Sequence, residues 1–162
     1  MHIHKYEKIW LAFGIGCLFV FLTVLGVSAF AKGNQPPSCL TTIDPEKVDQ
    51  TPPFNKLGLV KTGDNKYQLN MVASAFSYTP SQIEIPKGAK VTINITTKDV
   101  IHGFEVAGTN INMMVEPGFV NSFTKTFDQT GEYTILCNEY CGAGHHMMTA
   151  RIKVVDKQWL KQ

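Results

Sequence analysis

Charge is scarce in this 162-residue chain and nearly cancels: 15 Lys and Arg stand against 13 Asp and Glu, for a net charge of +2. Beyond Phe30 the balance is closer still, with 12 Lys and Arg151 facing 12 acidic residues. No surplus of one sign exists to bind a nucleic-acid backbone or to drive strongly electrostatic docking. Nucleic acid is therefore not an expected partner, and a docking surface is expected to be apolar. Internal repeats and low-complexity segments are absent, and beyond the first thirty residues no stretch holds a sustained 3.6-residue apolar period. That excludes a helical domain. Cysteine is also sparse, at four residues, and the four do not form one set. Cys17 lies in an apolar run, where a thiol behaves as a small hydrophobe. Cys39 stands alone in a Pro-rich stretch, and only Cys137 and Cys141 are close neighbours.

Apolar residues make up 44% of the chain but are unevenly spread. From Ile9 to Phe30 no charged residue occurs, and roughly 20 apolar residues are enough to cross a bilayer as a helix. Lys5 and Lys8 precede the run while only Lys32 follows closely, so the positive-inside rule places the N-terminus in the cytoplasm and the remainder outside. Ala29-Phe30-Ala31 fits a small-x-small cleavage pattern, but a signal peptide's apolar region runs only roughly 7 to 15 residues. The segment is expected to persist as an anchor. Gly14, Gly16 and Gly26 suit close packing against a partner helix in the membrane. Met1-His2-Ile3-His4 is read as a solvated terminus.

Five of the eight prolines fall between Lys32 and Pro53, amid polar residues without periodicity, which predicts an extended linker. From Phe54 to Gln162 the pattern becomes period two. Tyr67, Leu69, Met71 and Ala73 alternate with polar positions, as do Val91, Ile93 and Ile95, then Tyr133 and Ile135, then Ala150, Ile152 and Val154. Turn residues at 62–65, 86–88, 116–118 and 129–131 punctuate these runs. The expected organisation is a cytoplasmic tip and transmembrane helix over 1–31, a linker over 32–53, and an antiparallel Greek-key β-sandwich over 54–162.

Between the last two predicted strands lies Cys137-Asn138-Glu139-Tyr140-Cys141-Gly142-Ala143-Gly144-His145-His146-Met147-Met148. Two thiols, an imidazole and a thioether spaced C-x3-C-x3-H-x2-M form a soft donor set suited to copper. Gly142 and Gly144 let the backbone turn tightly around an ion. A Cys137–Cys141 disulfide leaves His145 and Met148 without a role. A structural zinc has no use for Met, and a mononuclear blue-copper site has none for the second thiolate. Two thiolates four residues apart can instead bridge two copper ions, each needing one imidazole and one weaker donor. The loop then lacks a histidine and a weak donor, the latter a backbone carbonyl. His102, in the apolar segment Val100-Ile101-His102-Gly103-Phe104, fills the first vacancy. His146, adjacent to a ligand, is expected to point away.

His102 with Cys137-x3-Cys141-x3-His145-x2-Met148 resembles the dinuclear copper A centre of the cytochrome c oxidase subunit II family. Ile101-His102-Gly103-Phe104, Gly108-Thr109-Asn110-Ile111-Asn112 and Pro117-Gly118 are similar to that family too. The likeness covers nearly the whole chain and is greatest to the type B haem-copper oxidases. Ordinary subunit II chains have two spans, whereas this one has one. The resemblance implies an all-β, cupredoxin-like sandwich facing the periplasm or cell exterior, tethered to the inner or plasma membrane. It implies two copper ions held by His102, Cys137, the backbone oxygen of Glu139, Cys141, His145 and Met148. Electrons are expected to arrive from cytochrome c and leave to haem in subunit I, where oxygen is reduced to water with proton pumping. In family members with Glu at the position of Glu139, its side chain also reaches magnesium or manganese at the subunit I interface; type B members can carry Gln there. Phe76 and Tyr78 correspond to a region near the copper site, as shielding or electron path, with strand packing as the ordinary alternative. A free membrane-tethered copper shuttle would use the same ligands. Nitrous oxide reductase shares the loop but needs a large catalytic domain for which this chain has no room, and quinol oxidases lack the ligands.

Overall fold

The computed structural model describes residues 4–31 and 38–156. The chain divides into two compact units, Met1–Pro36 and Pro37–Gln162. In the first, α1 spans Lys5–Gly26 and ends in a wider π-type turn, Val27–Ala31. His4 starts it, its side chain accepting from the Tyr6 amide. Within this unit α1 buries none of its residues, and with the turn that follows it is long and apolar enough to cross a membrane. A helix so apolar on every face needs a non-aqueous surround. At 1.5 Å per residue α1 is about 33 Å long, enough for a hydrocarbon layer of about 30 Å. The Thr23 hydroxyl donates back to the Phe19 carbonyl at 2.8 Å, so the one polar side chain in mid-run is satisfied internally. Gly14, Gly16 and Gly26 face open space.

The second unit is a sandwich of two sheets. One orders its strands β1 (Ser38–Thr42), β9 (Phe119–Phe127), β6 (Ala89–Thr97), β3 (Lys66–Ser74) and β2 (Gly58–Gly63), with β4 (Ser77–Thr79) also paired to β3. The other orders β5 (Gln82–Pro86), β11 (Thr149–Val155), β10 (Gly131–Leu136), β7 (His102–Val106) and β8 (Asn112–Val115). The alternating residues predicted to face inward do so: Leu69, Met71, Ala73, Val91, Ile93, Ile95, Ile135, Ile152 and Val154 join Phe104 and Val106 in one core. Each predicted turn segment lies at a junction between strands.

Two expectations are corrected. The sandwich is mixed rather than antiparallel, because β3 pairs parallel with β6 and β11 pairs parallel with β5. After β3 and β4 the chain crosses to the other sheet as β5 and returns as β6, which leaves β6 running in the direction of β3. The described part of the expected linker is also not extended chain. β1 pairs with β9, a 3-10 turn covers Pro45–Gln50 with Asp44 accepting from the Glu46 amide, and Val48 and Phe54 are each 1% exposed. With Ile43, Val72 and Val120 they form a second apolar cluster on the outer face of the first sheet. Asn70 fastens this strap, donating to the Pro53 carbonyl at 3.2 Å and the Lys56 carbonyl at 3.1 Å. Its own carbonyl oxygen accepts from Asn94, whose oxygen accepts from Ser122. The polar residues of that face are thus hydrogen-bonded under a lid, as burial requires. Residues 32–37, the rest of the expected linker, lie outside the described residues, as does Met1-His2-Ile3.

Candidate metal centre

Strands β10 and β11 pair without a break, from Gly131 with Val154 to Leu136 with Thr149. The intervening loop, 137–148, is closed at its base by the Cys137 amide donating to the Met148 carbonyl at 3.3 Å. Within it a 3-10 turn, His145–Met147, swings His145 and Met148 back toward the cysteines. Cys137, Cys141 and Met148 are 9%, 7% and 1% exposed and form one end of the sandwich core. His102 begins β7 beside β10 and is fully buried.

The donor atoms converge. Ligand atoms of His102, Cys137 and Cys141 lie within 4.8 Å of one another. The two sulfurs are 3.8 Å apart, too far for a disulfide bond. Cys141 Sγ is 3.6 Å from His145 Nδ1 and 3.6 Å from Met148 Sδ. The Cys137 thiol donates to the Glu139 carbonyl at 3.1 Å. Every main-site residue expected from the sequence therefore sits at one place. His146 is exposed, as expected. The Glu139 side chain belongs to no such group among the described residues.

The histidine is prepared for a metal. His102 Nε2 lies 2.8 Å from Asp99 Oδ1, while Nδ1 is buried without a hydrogen-bond partner. Burial works to raise the Asp99 pKa, but hydrogen bonds from His102, the Val100 and Ala75 amides and the Thr97 hydroxyl outweigh it and hold the carboxyl at about 2. An ionised carboxylate only accepts, so the nitrogen facing it, Nε2, carries a proton, and Nδ1 is the nitrogen left for a metal. A buried ring nitrogen without a partner, on a histidine grouped with two thiols, is what a soft metal ion would satisfy. Burial, then the neighbouring Cys137, pushes the Cys141 thiol up, against a backbone hydrogen bond from Phe76. Without metal Cys141 is held toward its protonated thiol, and a metal that binds its thiolate displaces that proton.

Phe76 and Tyr78 flank the loop from the β3–β4 hairpin. Phe76 occupies the left-handed region at φ 69°, and its ring lies on the glycines of the ligand loop. A Cβ on Gly142 would come 3.2 Å from the ring, and one on Gly144 within 2.5 Å of it. Gly142, at φ 125°, supplies the expected tight turn. Gly144 has an ordinary φ of −92°, so its role is different: it makes room for the Phe76 ring. Tyr78 is buried, donates to the Gly103 carbonyl, and meets Phe104 edge to face at 5.7 Å. Burial first, and then proximity to Cys137, pushes its phenol far above the ordinary tyrosine range, so it stays neutral. The outside of the ligand loop carries two large apolar side chains, Tyr140 at 75% and Met147 at 64% exposed.

Sequence reasoning missed Asp99, Gly103 and Asn138. Asp99, three residues before His102, carried a usable signal: metal-binding histidines commonly pair their second nitrogen with a carboxylate. For Gly103 the signal was a glycine within a run of strand-forming residues, the mark of close backbone approach.

The model of the family described as cytochrome C oxidase subunit II, periplasmic domain, matches residues 64–155. A cytochrome c oxidase subunit 2 from Thermus thermophilus is 44% identical over 158 residues, covering 95% of this chain and 94% of that protein. A chain from a heme-copper terminal oxidase dimer solved by cryo-EM is 32% identical with a TM-score of 0.79, covering 93% of this chain and 100% of that one. The periplasmic domain of cytochrome oxidase subunit II from Bradyrhizobium japonicum shares the fold at 18% identity, TM-score 0.54, over 58% of this chain and 87% of its own. The second unit is accordingly a cupredoxin-like domain.

Proposed function

The chain belongs to the cytochrome c oxidase subunit II family, and on that premise we propose that it carries electrons from cytochrome c to the haem of subunit I through a dinuclear copper A centre. Two copper ions would be held by His102, Cys137, Cys141, His145, Met148 and the backbone oxygen of Glu139. The observation that carries this reading is the pair of buried sulfurs 3.8 Å apart, grouped with a buried histidine, His102, whose Nδ1 has no hydrogen-bond partner. When bound, the copper pair would supply a one-electron store whose charge is shared between the two metals.

The protein's part is to hold these donors still and dry. Asp99 fixes the His102 ring, the β10–β11 ladder fixes both ends of the loop, and the Phe76 ring covers its glycines. A rigid frame keeps the donor geometry similar in both oxidation states. Water is excluded by the core below, Tyr78 included, and by the Phe76 ring over the loop glycines. Tyr140 and Met147 offer cytochrome c an apolar contact next to the donors, which fits a chain without charge bias. The same reading assigns the chain to a type B haem-copper oxidase, with support from its single apolar helix among the described residues. It places that helix in the inner or plasma membrane, with the domain outside and the oxidase pumping protons as it reduces oxygen to water. A magnesium or manganese at the Glu139 side chain would need donors from subunit I, and elemental analysis of the intact complex finding neither metal overturns that element.

Electron paramagnetic resonance of the copper-loaded full chain tests the centre. Hyperfine structure from two equivalent copper nuclei is expected; a pattern from one nucleus overturns the dinuclear assignment. Copurification with a large haem-bearing membrane subunit is expected from native membranes, and a chain that purifies alone overturns the oxidase role.

A further inference from the structure

The metal centre draws on one strand and one loop, and their backbones cross at Gly103. A Cβ there would lie 2.6 Å from the Asn138 nitrogen and 2.7 Å from the Glu139 nitrogen, and closer still to Asn138 Oδ1. Only glycine lets the ligand loop rest on β7 at this point. From the core side, the Tyr78 hydroxyl pins the Gly103 carbonyl. From the outer side, the Asn138 amide spans one rung of the β7–β8 hairpin: Nδ2 donates to Glu105 Oε2 at 3.2 Å and to Asn112 Oδ1 at 3.1 Å. Glu105 and Asn112 are direct partners in that ladder. Asn138 is exposed, so neither bond fills a buried polar vacancy. What they do is hold the chain one residue before Glu139, whose nitrogen is packed on Gly103 and whose carbonyl faces Cys137 at 3.1 Å.

We propose that Asn138, seated on Gly103 and clasped to Glu105 and Asn112, is a positioning residue that sets where the Glu139 carbonyl stands and so the strength of the centre's weak oxygen donor. This rests on the copper reading above. Asn138→Ala removes the clasp. Asn138→Asp keeps its volume but has no amide donor and sets a carboxylate beside Glu105, so it acts in the same direction. Glu105→Gln retains an acceptor for the Asn138 amide and should behave as the parent.

The test compares these full-length chains, purified in detergent and loaded with copper. Affinity is read by chelator competition, the reduction potential by titration, and the melting temperature on the metal-free proteins. Loss of a group that orients a ligand typically costs about 10–100-fold in metal affinity. The expected result is a loss of about tenfold or more, with a shifted potential, in both Asn138 variants. Their metal-free melting temperatures should match the parent, and Glu105→Gln should match it in every readout. Parent-like affinity and potential in Asn138→Ala would overturn the inference and leave the copper reading intact. Losses that simply follow the melting temperature would overturn it too. A parent chain that takes up no copper would overturn the copper reading itself, and this inference with it.

Discussion

At His102 the position of one proton decides whether the side chain can bind a metal. Asp99 takes the hydrogen bond from Nε2 and leaves the buried Nδ1 without a hydrogen-bond partner. Asp99→Ala should therefore weaken copper binding by about 10–100-fold, read by chelator competition; unchanged affinity would remove Asp99 from the centre. Gly144 makes a different demand, because a methyl group there enters the Phe76 ring. Overpacking of this kind costs about 1–3 kcal/mol. Gly144→Ala should lose about that much stability in urea denaturation of the metal-free chain, and a neutral result would show that the ring moves aside freely. His102 itself was legible because the donor count of the loop came up one imidazole short. Asp99 and Gly103 were less so, since they also touch segments distant in the chain: Asp99 meets the Ala75 amide, and Gly103 meets the backbone of Asn138 and Glu139.

Strands with one clean apolar face were readable, and β3, β6, β10 and β11 fall where alternation placed them. Segment 38–56 was not, because its anchoring residues, Val48 and Phe54, are spaced without period among prolines and polar side chains. Their burial depends on a face of the first sheet that carries Asn70, Val72 and Asn94, which by pattern looks half solvent-facing. Strand direction was hidden for a related reason: period two survives reversal of a strand, so alternation cannot tell β6 parallel to β3 from antiparallel. The strap's grip is apolar. Phe54→Ala should cost about 3–5 kcal/mol in denaturant unfolding of the metal-free chain, as for other buried phenylalanines. Lys98→Ala breaks only an exposed pair with Asp49 and should cost less than about 1 kcal/mol. Equal effects would mean that the strap is held by charge instead.

The whole chain joins an apolar helix to a domain with its own core, and the two units can be separated in the sequence. Removal of residues 1–36 should give a soluble protein that keeps its β-sheet circular dichroism and its copper affinity. Extending the deletion through residue 56 strips β1, the 3-10 turn and Phe54 from the outer sheet and should lower the melting temperature or cause aggregation. Equal melting of the two truncations would show that the strap adds nothing to the domain. A helix long and apolar enough to cross a membrane and a soft donor set in one loop were both legible from residue order, whereas the packing of segment 38–56 became clear only once the strap was seen on its sheet.

The ladder beneath the ligand loop has one more consequence. Six consecutive rungs join β10 to β11 with no bulge, and Leu136 and Thr149 form the last. A slip of one residue would turn the apolar set of the shifted strand, Ile135 on β10 or Ile152 on β11, out to water. The frame therefore constrains the two ends of the twelve-residue loop while leaving its interior free to vary. Chemistry at this tip can diversify by exchange of loop residues alone, with the sandwich unchanged underneath, provided that a glycine stays at 103 wherever the replacement backbone rests on β7.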